Sequence, residues 1–198
     1  MRCFGDGSEL YERYHDLEWG RPVTDDRGLF ERISLEAMQS GLSWLVVLRK
    51  RPTLRRAWRN FEADKVASMT EVDVRRLLAD RGVIRNRAKI EATVANARAL
   101  VALAERGDSL ADLVWAHRPA RSVAPRTLED IPAITPESTA LAKALKRLGL
   151  RFVGPTTIYA SMQACGVVND HVSGCTVRAE VEREQRDAVR RMRAGRRG

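Results

Sequence analysis

Strand signals are almost missing from this chain; Arg151-Phe152-Val153 is too short a run to count as one. There is no internal repeat and no low-complexity tract before the tail. No apolar run approaches the length that spans a membrane, and MRCFGDGSEL at the start has no apolar signal core. A cytoplasmic protein without a membrane partner is therefore expected. Cysteine is scarce too. Three residues, Cys3, Cys165 and Cys175, make an odd count that argues against a disulfide framework. Lysine is the rarer base, with five of the 35 basic residues and none after Lys146.

What is present describes a globular chain. At 198 residues, 44% hydrophobic and 31% charged, it has enough apolar surface for one large domain or two small lobes. The formal charge is +9, of which +4 comes from residues 176–198 and +5 from the rest. Such a balance permits a polyanionic partner, because phosphates supply basic proteins with most of their non-specific affinity. It does not demonstrate one.

Periodicity points to an all-α fold of many short helices. Residues 1–24 read as irregular or briefly helical, and Thr24-Asp25-Asp26 forms a capping cluster for the next helix. Short helices follow from Ser43 to about Phe61, with Pro52 at a break or a first-turn position. Asp64 and Thr70 are expected as caps. The longest helical stretch is NRAKIEATVANARALVALAERG, with Ile90, Val94, Ala97 and Val101 on one face. HRPARSVAPR, residues 117–126, is the clearest loop and a candidate lobe boundary. Thr135 and Pro136 then open another helix.

Three constellations carry chemistry. In LFERISLEAMQSGLSW, helical spacing puts Leu29, Ile33, Ala37 and Ser40 on one face with Glu36 on or against it. Gly41 can stop that helix and Ser43 can cap one beginning at Trp44. A half-buried carboxylate with an indole one turn later suits a flat, positively charged ligand; a boundary Glu reaching water beside a core Trp is the competing reading. The second constellation is KALKRLG–LRF–VGPTTIYASMQACG, two helices joined by a glycine-bounded hairpin whose second helix offers free N–H groups to a phosphate. The third is His171-x₃-Cys175, which with Cys3 and His15 can complete a Cys₂His₂ tetrahedron clipping the two ends of the chain together. Against it stands a chance Cys3 and a buried, hydrogen-bonded His171. Cys165 reads as an inert core thiol.

Taken together, YHDLEWG at 14–20, LEAMQSGLSW at 35–44, the Gly149–Gly154 hairpin and MQACGVVNDH at 162–171, with the terminal Cys/His pairs, resemble the 3-methyladenine DNA glycosylase I (Tag) family of the helix–hairpin–helix superfamily. The likeness runs over residues 1–175 in one collinear order. It implies two helical lobes forming one unit over residues 1–175, followed by an arginine-rich extension at 176–198 that is either disordered or a self-solvating helix. It implies one structural Zn²⁺ on Cys3, His15, His171 and Cys175. Glu36 corresponds to the pocket carboxylate and catalytic residue, Tyr14, Trp19 and Trp44 to the rings of the base pocket, and Gly149, Arg151, Val153, Gly154 and Thr156 to the DNA-backbone contact.

The implied activity is extrusion and hydrolytic removal of 3-methyladenine from double-stranded, alkylated DNA. A monomer at the nucleoid would leave an abasic site. The alternative is a non-catalytic DNA-binding module with a repurposed pocket. Three departures from the family pattern stand out. Phe4 occupies the neighbourhood of an early Trp, Glu9 replaces a usual proline in a loop one residue short, and the tail is longer and more basic. Asp170 is the one candidate for the aspartate that many such enzymes carry after the hairpin. Beside His171, it reads instead as a supporting or capping residue.

Overall fold

The computed structural model describes residues 1–195; residues 196–198 of the basic tail lie outside the described residues. Ten α-helices and no strand occur among the described residues. In chain order they are α1 (Glu9–Leu17), α2 (Asp26–Gln39), α3 (Trp44–Ala57), α4 (Ala63–Ala67), α5 (Glu71–Ala79), α6 (Arg87–Glu105), α7 (Leu110–Ala116), α8 (Pro136–Arg147), α9 (Pro155–Ala164) and α10 (Arg178–Gly195). The helices α4–α6 pack together, α8 pairs with α9, and α2 lies between these groups against α6, α7 and α9.

The central position of α2 explains a departure from simple amphipathicity. Leu29, Phe30, Glu31, Ile33, Ser34, Leu35, Glu36, Ala37 and Met38 are all buried, so the helix is covered nearly all round. Ser40, expected on the buried face, is instead the exposed C-cap. The helix starts at Asp25, whose carboxylate accepts from Gly28 N at 2.8 Å. Asp26 reaches across the fold and accepts from Leu110 N and Ala111 N at 3.1 and 2.8 Å, capping α7. Its carboxylate thus satisfies the free N–H groups of a helix 84 residues away.

Two local expectations are corrected. Helix α3 runs through Pro52 without a break. An interior proline disfavours a helix by about 3 kcal/mol, and burial of Val47, Leu48, Leu54 and Ala57 on the inner face offsets it. Asp64 lies within the first turn of α4, whose N-cap is Glu62. Thr70 does cap α5, in a reciprocal capping box with Asp73.

The N-terminal segment is stitched to the end of α9. Gly20 N donates to Gln163 O at 3.1 Å and Val23 N to Cys165 O at 2.9 Å. Gly166 makes this approach possible. Its φ is +68°, and a Cβ there would sit 2.4 Å from Gly20 O.

Helix α10 is neither disordered nor merely self-solvating. Its outer face carries the Glu182–Arg186 and Asp187–Arg190 pairs, while Val181, Gln185 and Ala188 are buried at i, i+4 and i+7. Gln185 Nε2 donates to Val168 O at 3.0 Å, and Arg21 pairs with Glu184 at 2.5 Å. The Arg178 guanidinium bonds the carbonyls of Asn169 and His171. Truncation before Arg178 should therefore lower Tm by roughly 4–12 °C, as loss of two to three kcal/mol does at this size. A scan showing no change in Tm would count against this role for α10.

Candidate functional site

Cys3, in the segment before α1, and His15, in its last turn, meet His171 and Cys175 from the turn that follows α9. One ligand atom from each lies within 4.8 Å of the other three. Cys3 Sγ is 3.5 Å from His171 Nδ1, and Cys175 Sγ is 3.4 Å from His171 Nδ1 and 3.5 Å from His15 Nε2. Metal–ligand bonds of about 2.0–2.3 Å give tetrahedral edges of roughly 3.3–3.8 Å, which matches these separations.

The tautomers are also set for ligation. His15 Nδ1 faces Asp16 Oδ1 at 2.8 Å, and Arg2 holds that carboxylate through Nε and Nη2. His171 Nε2 donates to Trp19 O at 3.0 Å. His15 Nε2 and His171 Nδ1 therefore point inward, oriented as ligating imidazoles are by their outer partners. Burial lowers His171 to a pKa of about 4, so its ring is neutral at pH 7. Burial also raises the Cys3 thiol to about 12, so forming a thiolate there calls for a nearby cation. The four side chains can hold a metal ion.

The ligands bring aromatic neighbours with them. Phe4 follows Cys3, and its ring lies 5.0 Å from Trp19, 5.2 Å from Tyr11 and 6.4 Å from Tyr14. Tyr14 precedes His15 and lies 5.2 Å from Trp44. Trp19 meets His171 edge-on at 4.6 Å, so it adjoins the metal ligands as well as the other rings. Tyr14, Trp19, Leu48 and Ala164 form a buried cluster of their own, lined further by Phe4, Tyr11 and Trp44.

Glu36 sits at this cluster with only 7% of its surface exposed. Its carboxylate has no hydrogen-bond partner among the described residues, and burial raises its pKa to about 8 against the opposing pull of Arg32. Tyr14 is pushed well above its ordinary pKa by burial and then by Glu36, so it remains a neutral phenol. The buried indole Nε1 of Trp44 has no partner either, nor does Arg32 Nη1. Unpartnered buried polar groups are few in folded proteins, and each calls for an explanation.

Residue spacing alone did not single out Arg32, four residues before Glu36 and therefore on the same face. Arg32 pairs with Glu18 at 3.2 Å, and Arg51 binds the same carboxylate at 2.5 and 2.7 Å. Glu18 thus bridges two guanidiniums, offsetting one of their two charges. Asp170 is not a partner of His171 as anticipated. Its Oδ2 accepts from Tyr159 OH at 2.7 Å and Gln163 Nε2 at 2.8 Å. Asp170 also borders a separate cleft of about 590 Å³, lined by Tyr159, Glu137, Arg126 and Pro125 but not by Glu36.

The hairpin joins α8 to α9. Gly149 has φ +94°, and a Cβ placed on Gly154 would meet nothing within 4 Å. Arg151 and Thr156 are exposed, as are Lys146 and Arg147 in the last turn of α8. Val153 is fully buried, so only its main chain can face a partner. Phe152, absent from the predicted set, stands at the tip with φ +56° and 40% exposure. A bulky residue held in that region is uncommon and tends to mark functional loops.

Comparison with known proteins agrees with this architecture. The family described as methyladenine glycosylase matches residues 4–179. DNA-3-methyladenine glycosylase 1 of Escherichia coli is 51% identical, over 84% of this chain and 90% of its own length. The DNA-3-methyladenine glycosylase of Haemophilus influenzae is 44% identical, over 88% and 96%. Among solved structures, a 3-methyladenine DNA glycosylase I (TAG) superposes with a TM-score of 0.86 at 49% identity, covering 89% of this chain and 98% of that one. The TAG of Staphylococcus aureus, solved to explain 3-methyladenine recognition, superposes at 0.84 with 31% identity, covering 89% and 95%. By the extent of the family match and the identity to these relatives, the chain belongs to the methyladenine glycosylase family.

Proposed function

We propose that the protein removes 3-methyladenine from alkylated double-stranded DNA by hydrolysing the N-glycosidic bond, leaving an abasic site in an intact strand. Family membership supports the activity. The observation that carries the mechanism is the Glu36 carboxylate, buried among rings with no hydrogen-bond partner among the described residues. The same features disfavour a non-catalytic binding module, which has no use for an unpartnered buried acid.

An N3-methylated adenine is a cation and already a good leaving group, so the enzyme's main task is selection. Extruding the nucleotide costs a few kcal/mol. Stacking on Tyr14, Trp19, Trp44 and Phe4 returns about 1–3 kcal/mol but accepts any base. Glu36 supplies discrimination. In the empty pocket it is largely protonated at pH 7. A cationic purine restores its charge, with an attraction of about 4 kcal/mol at roughly 4 Å and an effective dielectric near 20, before desolvation. Neutral adenine offers no such compensation, so the acid stays uncharged and the base is released.

The hairpin residues Gly149, Arg151, Gly154 and Thr156, with the main chain of Val153, would hold the phosphate backbone with the N-terminus of α9. Water is the nucleophile in this reading: the lysine nearest the hairpin, Lys146, is exposed at the end of α8, and no lysine follows it in the hairpin or in α9. Cys3, His15, His171 and Cys175 would bind one Zn²⁺. Four protein ligands leave it no open position, so its contribution is to hold the two ends of the chain together. Residues 1–175 would carry the activity, with the helix after them as a support. Pocket and hairpin both come from one chain, which suits a monomer, and a DNA substrate suits a cytoplasmic protein at the nucleoid.

Glu36→Gln should retain affinity for undamaged duplex while kcat/KM for 3-methyladenine falls about 10²-fold, the loss of two to three kcal/mol of charge attraction. Equal excision by the variant would overturn the selection mechanism. For the native protein kcat/KM should climb with pH toward about 8, the value of the free pocket acid, and the climb should vanish in Glu36→Gln.

Stability should move the opposite way. A carboxyl whose pKa is raised on folding stabilises most below its unfolded value near 4.5, and that stabilisation is lost as pH rises through about 8. Calorimetry should therefore find Glu36→Gln more stable than native by about 2 kcal/mol at pH 9, with a smaller difference at pH 4.

Metal analysis of the purified protein should find one zinc per chain, and chelation should lower Tm. A metal-free sample with native Tm and helicity would refute the site.

A further inference from the structure

Helix α6, the longest among the described residues, buries three polar side chains that the chemistry above does not use; Thr93 bonds Lys89 O within the helix, while Lys89 and Asn96 reach other elements. Lys89, in the first turn of α6, is 8% exposed and has no carboxylate partner among the described residues. Its ammonium donates to Met38 O at 2.9 Å and to Ser40 O at 2.5 Å. These carbonyls end α2, two and four residues beyond Glu36 and just before the turn that delivers Trp44. Helix α2 has no basic residue in its own last turn, so Lys89 supplies the cation that a helix C-terminus favours.

Asn96 lies seven residues further along, on the same face and about 10.5 Å away at two helical turns. It is buried, and its amide grips one residue of the hairpin from both sides. Asn96 Oδ1 accepts from Arg151 N at 2.7 Å, and Nδ2 donates to Arg151 O at 3.1 Å. This two-point bond fixes the orientation of the peptide groups on either side of Arg151, between Gly149 and Gly154.

We propose that α6 sets the span between the base pocket and the phosphate anchor, with Lys89 and Asn96 as positioning residues at its two points of attachment. The inference rests on the glycosylase reading of the pocket and hairpin. Its physical basis is independent of packing. An apolar residue at position 89 would fill the same space without the cost of burying an ammonium, so the charge is explained by what it holds. Bonds to main-chain carbonyls and amides fix backbone, and backbone position decides where Glu36, Trp44 and Arg151 stand. A flipped base must reach the pocket while its flanking phosphates stay on the hairpin, so the distance between the two is a catalytic parameter.

The test uses the full chain and three readouts: binding of free 3-methyladenine, binding of undamaged duplex, and single-turnover excision from methylated duplex. Lys89→Met should weaken the free base about tenfold and slow excision, with duplex affinity unchanged. Asn96→Leu should weaken duplex binding about tenfold and raise the half-saturating DNA concentration, with free-base affinity unchanged; tenfold is the size expected for losing hydrogen bonds of this kind.

Lys89→Arg, which keeps the cation, should recover most of the free-base affinity. Asn96→Gln, which keeps the amide but lengthens its reach, should fold and still bind duplex poorly. A merely structural role would move all three readouts together with Tm, and that outcome, or no change in any, would overturn the proposal. If native protein neither binds the free base nor excises it, the glycosylase reading fails instead. Native activity with indifferent variants sinks only the role of α6.

Discussion

A carboxylate largely withdrawn from water and given no hydrogen-bond donor is an expensive thing for a fold to keep, and the rest of this structure is built around that arrangement at Glu36. Burial holds its pKa near 8, so the group stands close to the point where a nearby positive charge decides its ionisation. The position demands a helix covered on nearly every side, which is what α2 is. The neighbouring cations are partly engaged elsewhere. Glu18 pairs with Arg32 and Arg51, and Glu31 with Arg55. Arg32, whose Nη1 has no partner, still pulls on Glu36, beside the rings and the partnerless indole N–H of Trp44.

The rings depend in turn on how the chain ends are held. Phe4 and Tyr14 are each adjacent to a residue of the Cys/His cluster, so whatever fixes Cys3 and His15 fixes those aromatics. Trp19 contributes its carbonyl to His171 and its ring to the aromatic group. The turn after α9 is braced from outside by Arg178 of α10 and from beneath by the close approach at Gly166. A change in the cluster would therefore be felt among the rings beside Glu36.

Much of this could be seen in the letters. The Glu36 helix, its Gly41 stop and the Ser43 start of α3 follow from local rules of capping and periodicity, as do Thr135-Pro136 and the glycine-bounded hairpin. The Cys/His set was visible as types and spacing, although its two halves lie over 150 residues apart in sequence. Other features were hidden. Pro52 looked like a break because the burial that overrides its helix penalty is tertiary. Helix α10 looked solvated because an excess of arginine masks a narrow stripe of Val181, Gln185 and Ala188. Lys89 and Asn96 gave no signal, since each bonds main chain supplied by another element.

By itself the sequence determined the helical class, the stops and starts that frame Glu36 and Trp44, and the residue types able to bind metal, because these rest on interactions within a few residues. Only the tertiary structure decided that Glu36 is buried without a partner, that the Cys/His atoms gather within 4.8 Å of one another, and that α6 bonds both the end of α2 and the hairpin. Desolvation, ligand geometry and main-chain hydrogen bonds between distant segments are properties of packing, and packing is settled only when every helix has found its neighbours.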